Sequence, residues 1–314
     1  MKNARHTTVG MPALFQSFLS SISYGSSSMS IAKSGFKLIR VFLIIFLTIA
    51  FTIPEQGEAH ALFHRHRRPY ALSANTALLW DPAHNQRYFD LGADRQVFPA
   101  STTKVLTVLL VLENLPLDKY VPVSVHATQV PQTKLGLRAG ESYSVRDLLY
   151  GLILKSANDA AVVLAEAVAG SEPKFVDMMN AKAKQLGANN SFFANPHGLP
   201  SKDKQFTTAA DMALIFSQTL KNPFFRQALT YKYLVINSKE GHRCFLKSHN
   251  KILFANWKRP VYGKTGWTIE AQGCFVGYIP KGNDIFIIAV YGCGCHSRWR
   301  DMKYIIEHYG HIDL

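Results

Sequence analysis

Residues 105–112 of this 314-residue chain, Val-Leu-Thr-Val-Leu-Leu-Val-Leu, leave a helix almost no polar face. A helix that is apolar on every side has to be packed on every side, so the segment predicts the buried centre of a domain. Phe98-Pro99-Ala100 leads into it and places Ser101 at its N-terminus. There, backbone N–H groups and the positive end of the helix dipole favour a developing oxyanion. Lys104 follows one turn later and projects from the same face as Ser101. A serine hydroxyl is a weak nucleophile and needs a neighbouring base to take its proton. An ammonium cannot serve, but a lysine pressed against an apolar helix loses hydration, and its pKa falls toward the operating pH.

Two further motifs follow in order, Ser156-Ala157-Asn158 and Lys264-Thr265-Gly266. Ser144 is expected to cap a helix from Val145 to Leu154, with apolar residues at helical spacing. A second apolar helix is expected from Asp159 to Val168, ending before Gly170. Ser156 and Asn158 therefore sit on a tight connector between two buried helices. A hydroxyl there suits proton relay to a leaving amine, and an amide suits the orientation of a lysine or of a substrate amide. The third motif reads as strand, Val261 to Thr268. A hairpin-like pair follows, Gln272–Ile279 and Ile285–Gly292, across Pro280 to Asp284. On an edge strand, Lys264 and Thr265 can bind a peptide carboxylate, with substrate lying along the edge. Gly266 permits close backbone approach, and the Trp267 N–H offers a second oxyanion donor. From average composition, S-x-x-K and S-x-N each turn up roughly once in a chain this long, and K-T-G in roughly one chain in ten. The ordered triple, each part on the element its chemistry needs, carries the argument.

The elements imply an α/β architecture. An opening hairpin (Thr76 to Leu91), the serine helix and the closing strands form an antiparallel sheet flanked by helices. The helices Val145–Leu154, Asp159–Val168, Pro173–Leu186 and Ala209–Leu220 form an all-helical subdomain, with a cleft where the two meet.

Beyond the motifs, the chain from about Asn75 to Gly310 resembles the serine D-alanyl-D-alanine carboxypeptidases, the low-molecular-mass penicillin-binding proteins. The resemblance is carried by Phe98 to Lys104, Ser156-Ala157-Asn158-Asp159-Ala160 and Asn195-Pro196-His197-Gly198-Leu199. Thr207-Thr208-Ala209-Ala210-Asp211-Met212-Ala213 and Gly263 to Thr268 complete it. It implies a β-lactamase/transpeptidase-like fold and removal of the terminal D-alanine from peptidoglycan stem pentapeptides. It implies Ser101 as acyl-ester nucleophile, Lys104 as its proton acceptor and Ser156 in proton relay. Asn158, Lys264, Thr265, Gly266 and Trp267 would bind substrate, β-lactam antibiotics would be covalent inhibitors, and no cofactor or metal is expected. Many relatives carry glycine where this chain has Ala157. Many continue into a β-rich second domain and an amphipathic anchor, whereas this chain stops at a helix, Trp299 to Tyr309. A catalytic domain over 75–314 with no second C-terminal domain is therefore the expectation. Cleavage of cross-links by a D,D-endopeptidase is the first alternative within the family. A β-lactamase follows, although the E-x-x-L-N segment such enzymes carry between the second and third motifs is missing here. A non-catalytic β-lactam-binding envelope module would have lost a reactive residue, and all are present.

The chain's start agrees with export to the periplasm or the outer face of the cytoplasmic membrane. Met29 to Ala59 has the layout of a secretory signal: Lys33, Lys37 and Arg40, a 13-residue apolar core from Val41 to Ile53, then small residues near Ala59. That core is short for a spanning helix. The 28 residues before Met29 fit either a long n-region or an early start codon, so residues 1–59 are read as a signal peptide with uncertain start. Their removal lowers the formal charge from +14 to about +11, since they hold five Lys/Arg and two Glu. A basic surface suits peripheral contact with a membrane or an anionic envelope polymer. No nucleic-acid module accompanies the charge. His60 to Ala74, with its His-Arg run, reads as a basic linker. His197 reads as a turn residue, because Lys104 already stands beside Ser101 and no G-x-S-x-G occurs. Four cysteines (Cys244, Cys274, Cys293 and Cys295) are too few for a disulfide scaffold.

Overall fold

The computed structural model describes residues 70–282, 284–294 and 297–314, and Ala71–Leu314 packs as one unit. The signal-peptide reading and most of the basic linker lie outside the described residues. The opening hairpin forms as expected, β1 (Thr76–Asp81) and β2 (Gln86–Leu91). A 3-10 turn, Ala100–Thr103, runs straight into helix α1, Lys104–Asn114. Ser101 thus stands on this tighter turn, just ahead of the α-helix proper. Short β3 (Tyr120–Pro122), α2 (Val125–Gln129) and β4 (Ser142–Ser144) lead to α3, Val145–Tyr150. Ser144 caps α3 by accepting from the Asp147 N–H. The helix expected over Val145–Leu154 is in fact two pieces, α3 and a π-helical turn, Gly151–Lys155. Widening the last turn lets it close on Ser156, whose φ of 62° is left-handed.

Helix α4 (Asn158–Ala169) ends at left-handed Gly170, and α5 (Glu172–Leu186), α6 (Ala209–Leu220) and α7 (Pro223–Ala228) follow. A hairpin the sequence reading passed over, β5 (Tyr233–Asn237) with β6 (Arg243–Lys247), comes next. The chain closes with β7 (Tyr262–Thr268), β8 (Gln272–Lys281), β9 (Asp284–Cys293) and α8 (Ser297–Tyr309).

Five strands make one antiparallel sheet in the order β2-β1-β9-β8-β7, which puts the Lys264 strand at an edge as the sequence implied. The two faces follow from the period of two. Leu78, Val276 and Ala289 face the larger core, shared with the helices. Their neighbours Leu79, Phe275 and Ile288 face a second core, closed by Met302, Ile305 and Ile306 of α8. Helix α6 lies on the first face, against β1, β8 and β9. Helix α1 is covered by α4, α5 and α6, which leaves every residue from Lys104 to Val111 buried.

Helix α1 is therefore the member most sensitive to lost volume. Leu106 is fully buried, so Leu106→Ala should cost about 2–5 kcal/mol. Val125→Ala, at a side chain 63% exposed, should change stability by less than about 0.5 kcal/mol. Urea unfolding of the two variants beside the parent checks the contrast.

Candidate active site

The three motifs meet at one edge of the sheet. Strand β7 runs against the serine turn, and a side chain at Gly266 would press on it. A Cβ on Gly266 would lie 3.1 Å from both the Ala100 Cβ and the Ser101 nitrogen. Gly198 adopts φ +83°, and a Cβ there would come within 1.8 Å of the Ala100 carbonyl oxygen. Behind the turn, the buried Tyr291 hydroxyl of β9 donates to Thr102 Oγ1 at 3.1 Å, and Thr102 Oγ1 donates to the Pro99 carbonyl at 2.6 Å. Ser101 is thus fixed from the sheet, from the turn below it and from its own helix.

Lys104 is wholly buried. Its Nζ lies 2.9 Å from Ser101 Oγ, 2.8 Å from Asn158 Oδ1 and 2.5 Å from the His197 carbonyl oxygen. All three partners are neutral. Burial holds the Lys104 ammonium well below its ordinary pKa, the nearby Lys264 cation lowers it further, and Asp159 pulls the other way. Each partner is itself held. Asn158 Nδ2 donates to the Pro131 carbonyl, which turns Oδ1 toward the lysine. The His197 carbonyl belongs to a turn closed on itself: Asn195 Oδ1 accepts from the Gly198 N–H, and Asn195 Nδ2 donates to the Leu199 carbonyl. Thr107 of α1 ties that turn down through the Pro196 carbonyl at 2.6 Å. The His197 imidazole is lowered to about 3 by burial, then by Lys104 and His126, so it is neutral and accepts from the Leu199 N–H.

A second lysine–serine pair faces the first. Lys264 is buried too, and its Nζ donates to Ser156 Oγ at 2.8 Å and to the Thr265 carbonyl at 2.9 Å. Burial, then the Arg298 cation, lowers Lys264 to about 7. With Lys264 donating to it, Ser156 keeps its own hydroxyl proton to give. Asp159, next to the motif asparagine, accepts from the Leu135, Gly136 and Leu137 N–H groups and so pins the loop over Asn158.

Ser101, Ser156, Thr265, Gly266 and Trp267 line one open cavity of about 1010 Å³. The same wall carries residues the sequence reading did not single out. Arg298 of α8 donates to the Gly266 and Cys274 carbonyls at 2.7 and 3.1 Å, and Thr133, Lys155, Phe245, Lys247, His249, Lys251 and Phe254 complete much of the rest. Asn158 and Lys104 stand behind this surface. Three of the cysteines, Cys244, Cys274 and Cys293, are buried free thiols, and Cys295 lies outside the described residues.

A family model for D-alanyl-D-alanine carboxypeptidases matches residues 63–293, and the chain belongs to that family. It is 32% identical over 263 residues to the Bacillus subtilis D-alanyl-D-alanine carboxypeptidase DacF, covering 81% of this chain and 64% of that protein, so it spans less than two thirds of that relative's length. It is 29% identical over 208 residues to a Pseudomonas aeruginosa D-alanyl-D-alanine endopeptidase, covering 65% of this chain and 66% of that one. Among solved structures, a D-alanyl-D-alanine carboxypeptidase from Mycobacterium tuberculosis superposes with a TM-score of 0.72 at 30% identity, over 77% of this chain and 92% of that one. The fold is that of the penicillin-binding DD-peptidases.

Two buried lysines held below their ordinary pKa make stability depend on pH with a definite sign. The unfolded chain binds more protons than the folded one between a lysine's folded and unfolded pKa, so stability rises with pH across that window. For Lys264 the window runs from about 7 to 10.5. Followed by thermal melting, the parent should therefore gain stability relative to Lys264→Met as pH rises from neutral toward about pH 10. A melting profile for Lys264→Met parallel to that of the parent would show that the lysine is not the source.

Proposed function

We propose that this chain is a penicillin-sensitive serine D-alanyl-D-alanine carboxypeptidase that removes the terminal D-alanine of peptidoglycan stem pentapeptides through an acyl-enzyme on Ser101. The observation that carries the reading is the set of three partners around Lys104 Nζ. A neutral amine has two N–H bonds and one lone pair. Asn158 Oδ1 and the His197 carbonyl take the two N–H bonds, which leaves the lone pair for the Ser101 hydroxyl proton. Lys104 then accepts that proton as Ser101 Oγ attacks the carbonyl carbon of the penultimate D-alanine. The negative charge moves to the carbonyl oxygen, where the Ser101 and Trp267 N–H groups receive it. Collapse expels the terminal D-alanine, whose nitrogen takes a proton from Ser156, and Lys264 restores the proton to Ser156. Water then attacks the acyl carbonyl and gives its proton through Ser156 to Lys264, while the ester bond breaks and Lys104 returns the first proton to Ser101.

Lys264 acts in this scheme through Ser156, since both of its hydrogen bonds lie inside the protein. The terminal carboxylate meets Thr265 and the guanidinium of Arg298 at the cavity wall, within the positive field that Lys264 supports. A β-lactam presents the same carbonyl with a leaving group that stays tethered, which favours a long-lived adduct on Ser101. Cleavage of cross-links is the second reading. It is favoured by the similarity to an endopeptidase and by a cavity far larger than one alanine. The basic surface, net +14 over the whole chain, and the secretory layout of its start support action outside the cytoplasmic membrane, on an anionic polymer. Among the described residues no helix is long and apolar enough to cross a membrane.

Intact-mass analysis after exposure to a β-lactam should show one adduct, mapped to the peptide bearing Ser101 and missing from Ser101→Ala. Lys104→Arg keeps the charge but cannot offer a neutral amine near pH 7, so acylation should slow by at least about 10²-fold in a folded protein. Mass analysis of the products from pentapeptide monomers and from cross-linked dimers separates the carboxypeptidase from the endopeptidase. Near-normal acylation by Lys104→Arg would assign the proton to another group.

A further inference from the structure

The cavity holds more positive charge than one terminal carboxylate requires. Besides Arg298, its wall includes Lys155, Lys247 and Lys251, and no acidic residue stands among the described residues lining it. None of these three lysines is ion-paired among the described residues, so their charge faces solvent and ligand.

The lysines are held rather than scattered. The β5–β6 hairpin turns Cys244 and Leu246 into the main core, which fixes the opposite face of β6, Arg243, Phe245 and Lys247, outward. Lys247 lies over the Phe254 ring, 5.4 Å from its centroid. Phe254 packs edge-on against Tyr233 at 5.4 Å, and Tyr233 stacks on Phe245 at 5.8 Å. Lys251 opens the 3-10 turn that carries Phe254, Lys251–Phe254. Just beyond β6, the His249 N–H donates to the Leu154 carbonyl, which joins the hairpin's end to the π-helical turn bearing Lys155 and, next to it, Ser156. The three cations therefore share one wall with the reacting serine, and Lys247 stands on a shelf of aromatic rings.

We infer that Lys155, Lys247 and Lys251 are specificity-determining residues that select peptides carrying a second free carboxylate besides the terminal one, over the same peptides in carboxamide form. The inference rests on the proposed carboxypeptidase reading and names the substrate class of that site. Clefts lined by one sign of charge raise the local concentration of the opposite sign, and the effect falls with ionic strength.

The test uses the full chain and four N-acetylated peptides ending in D-Ala-D-Ala. Two differ only in a side-chain carboxylate or carboxamide at the third residue from the end, and two carry a further glutamyl residue with its carboxylate free or amidated. The parent should turn over at least one acidic peptide about tenfold better in kcat/KM than its carboxamide twin, with the ratio shrinking as salt is raised. In the Lys247→Gln/Lys251→Gln double variant that ratio should fall toward one, and Lys247→Arg/Lys251→Arg should restore it. A parent that hydrolyses all four peptides with ratios near one overturns the inference and leaves the carboxypeptidase reading standing. A ratio that persists in the glutamine variant overturns it as well. A parent that hydrolyses none of the four, and takes no β-lactam on Ser101, overturns the reading beneath it.

Discussion

The burial of Lys104 is the constraint on which the rest depends. Taking an ammonium out of water without a counter-ion costs several kcal/mol, and a side chain escapes that cost by losing its proton. Here the surroundings supply neutral acceptors in place of a carboxylate: a hydroxyl, an amide oxygen and a backbone carbonyl. A carboxylate at that distance would hold the lysine charged and useless as a base. The carboxylate that does act on it, Asp159, spends its oxygens on the N–H groups of the loop at Leu135 to Leu137. The apolar helix that opened the sequence reading is thus the device that keeps water away from the amine.

Everything else brings polar partners to that point without letting water in. Two glycines pack on the serine turn: a Cβ on Gly198 would collide with the Ala100 carbonyl, and one on Gly266 would press on Ala100 and Ser101. Ser156 is delivered by a widened helical turn ending in a left-handed residue, a conformation that costs a non-glycine residue about 1–3 kcal/mol. Strain of that size at a side chain in the cleft is tolerable where large cores hold the flanking elements in place. The sheet contributes through Tyr291, whose hydroxyl reaches across the core to Thr102 beside the serine.

Much of this was legible because its cause is local. The hairpin β1–β2, helices α4, α5 and α6 and the edge position of Lys264 follow from hydrophobic period and from turn and cap residues. The π-helical turn was not legible, since Gly151 to Lys155 has an ordinary helical pattern and only the demand for Ser156 in the cleft widens it. Nor was the His197 carbonyl, because a backbone oxygen leaves no mark in residue type. Arg298 enters the site from a helix outside all three motifs, and its role comes from tertiary placement alone. The β5–β6 hairpin is a different case. Tyr233 to Asn237 and Arg243 to Lys247 do alternate, but the outward face mixes Tyr233, Val235 and Phe245 with Asn237, Arg243 and Lys247, so the period of two is muted. That muting is itself informative, since a strand that spends aromatics on its exposed face is shaping a surface.

The two lysine–serine pairs are chemically alike yet their environments separate them, and the proposed mechanism uses that separation to move a proton in one direction. Lys104 has three neutral partners, and burial and then the Lys264 cation hold its ammonium well below its ordinary pKa. Lys264 has its own burial and Arg298 against it, and comes to rest near 7, within reach of either state. In the proposed mechanism, the positive charge that Lys104 gains from Ser101 stands near Lys264 and makes that lysine a stronger acid. The push arrives as Ser156 must give a proton to the leaving nitrogen and needs one in return. Coulomb coupling between two buried amines therefore links the first proton transfer to the last.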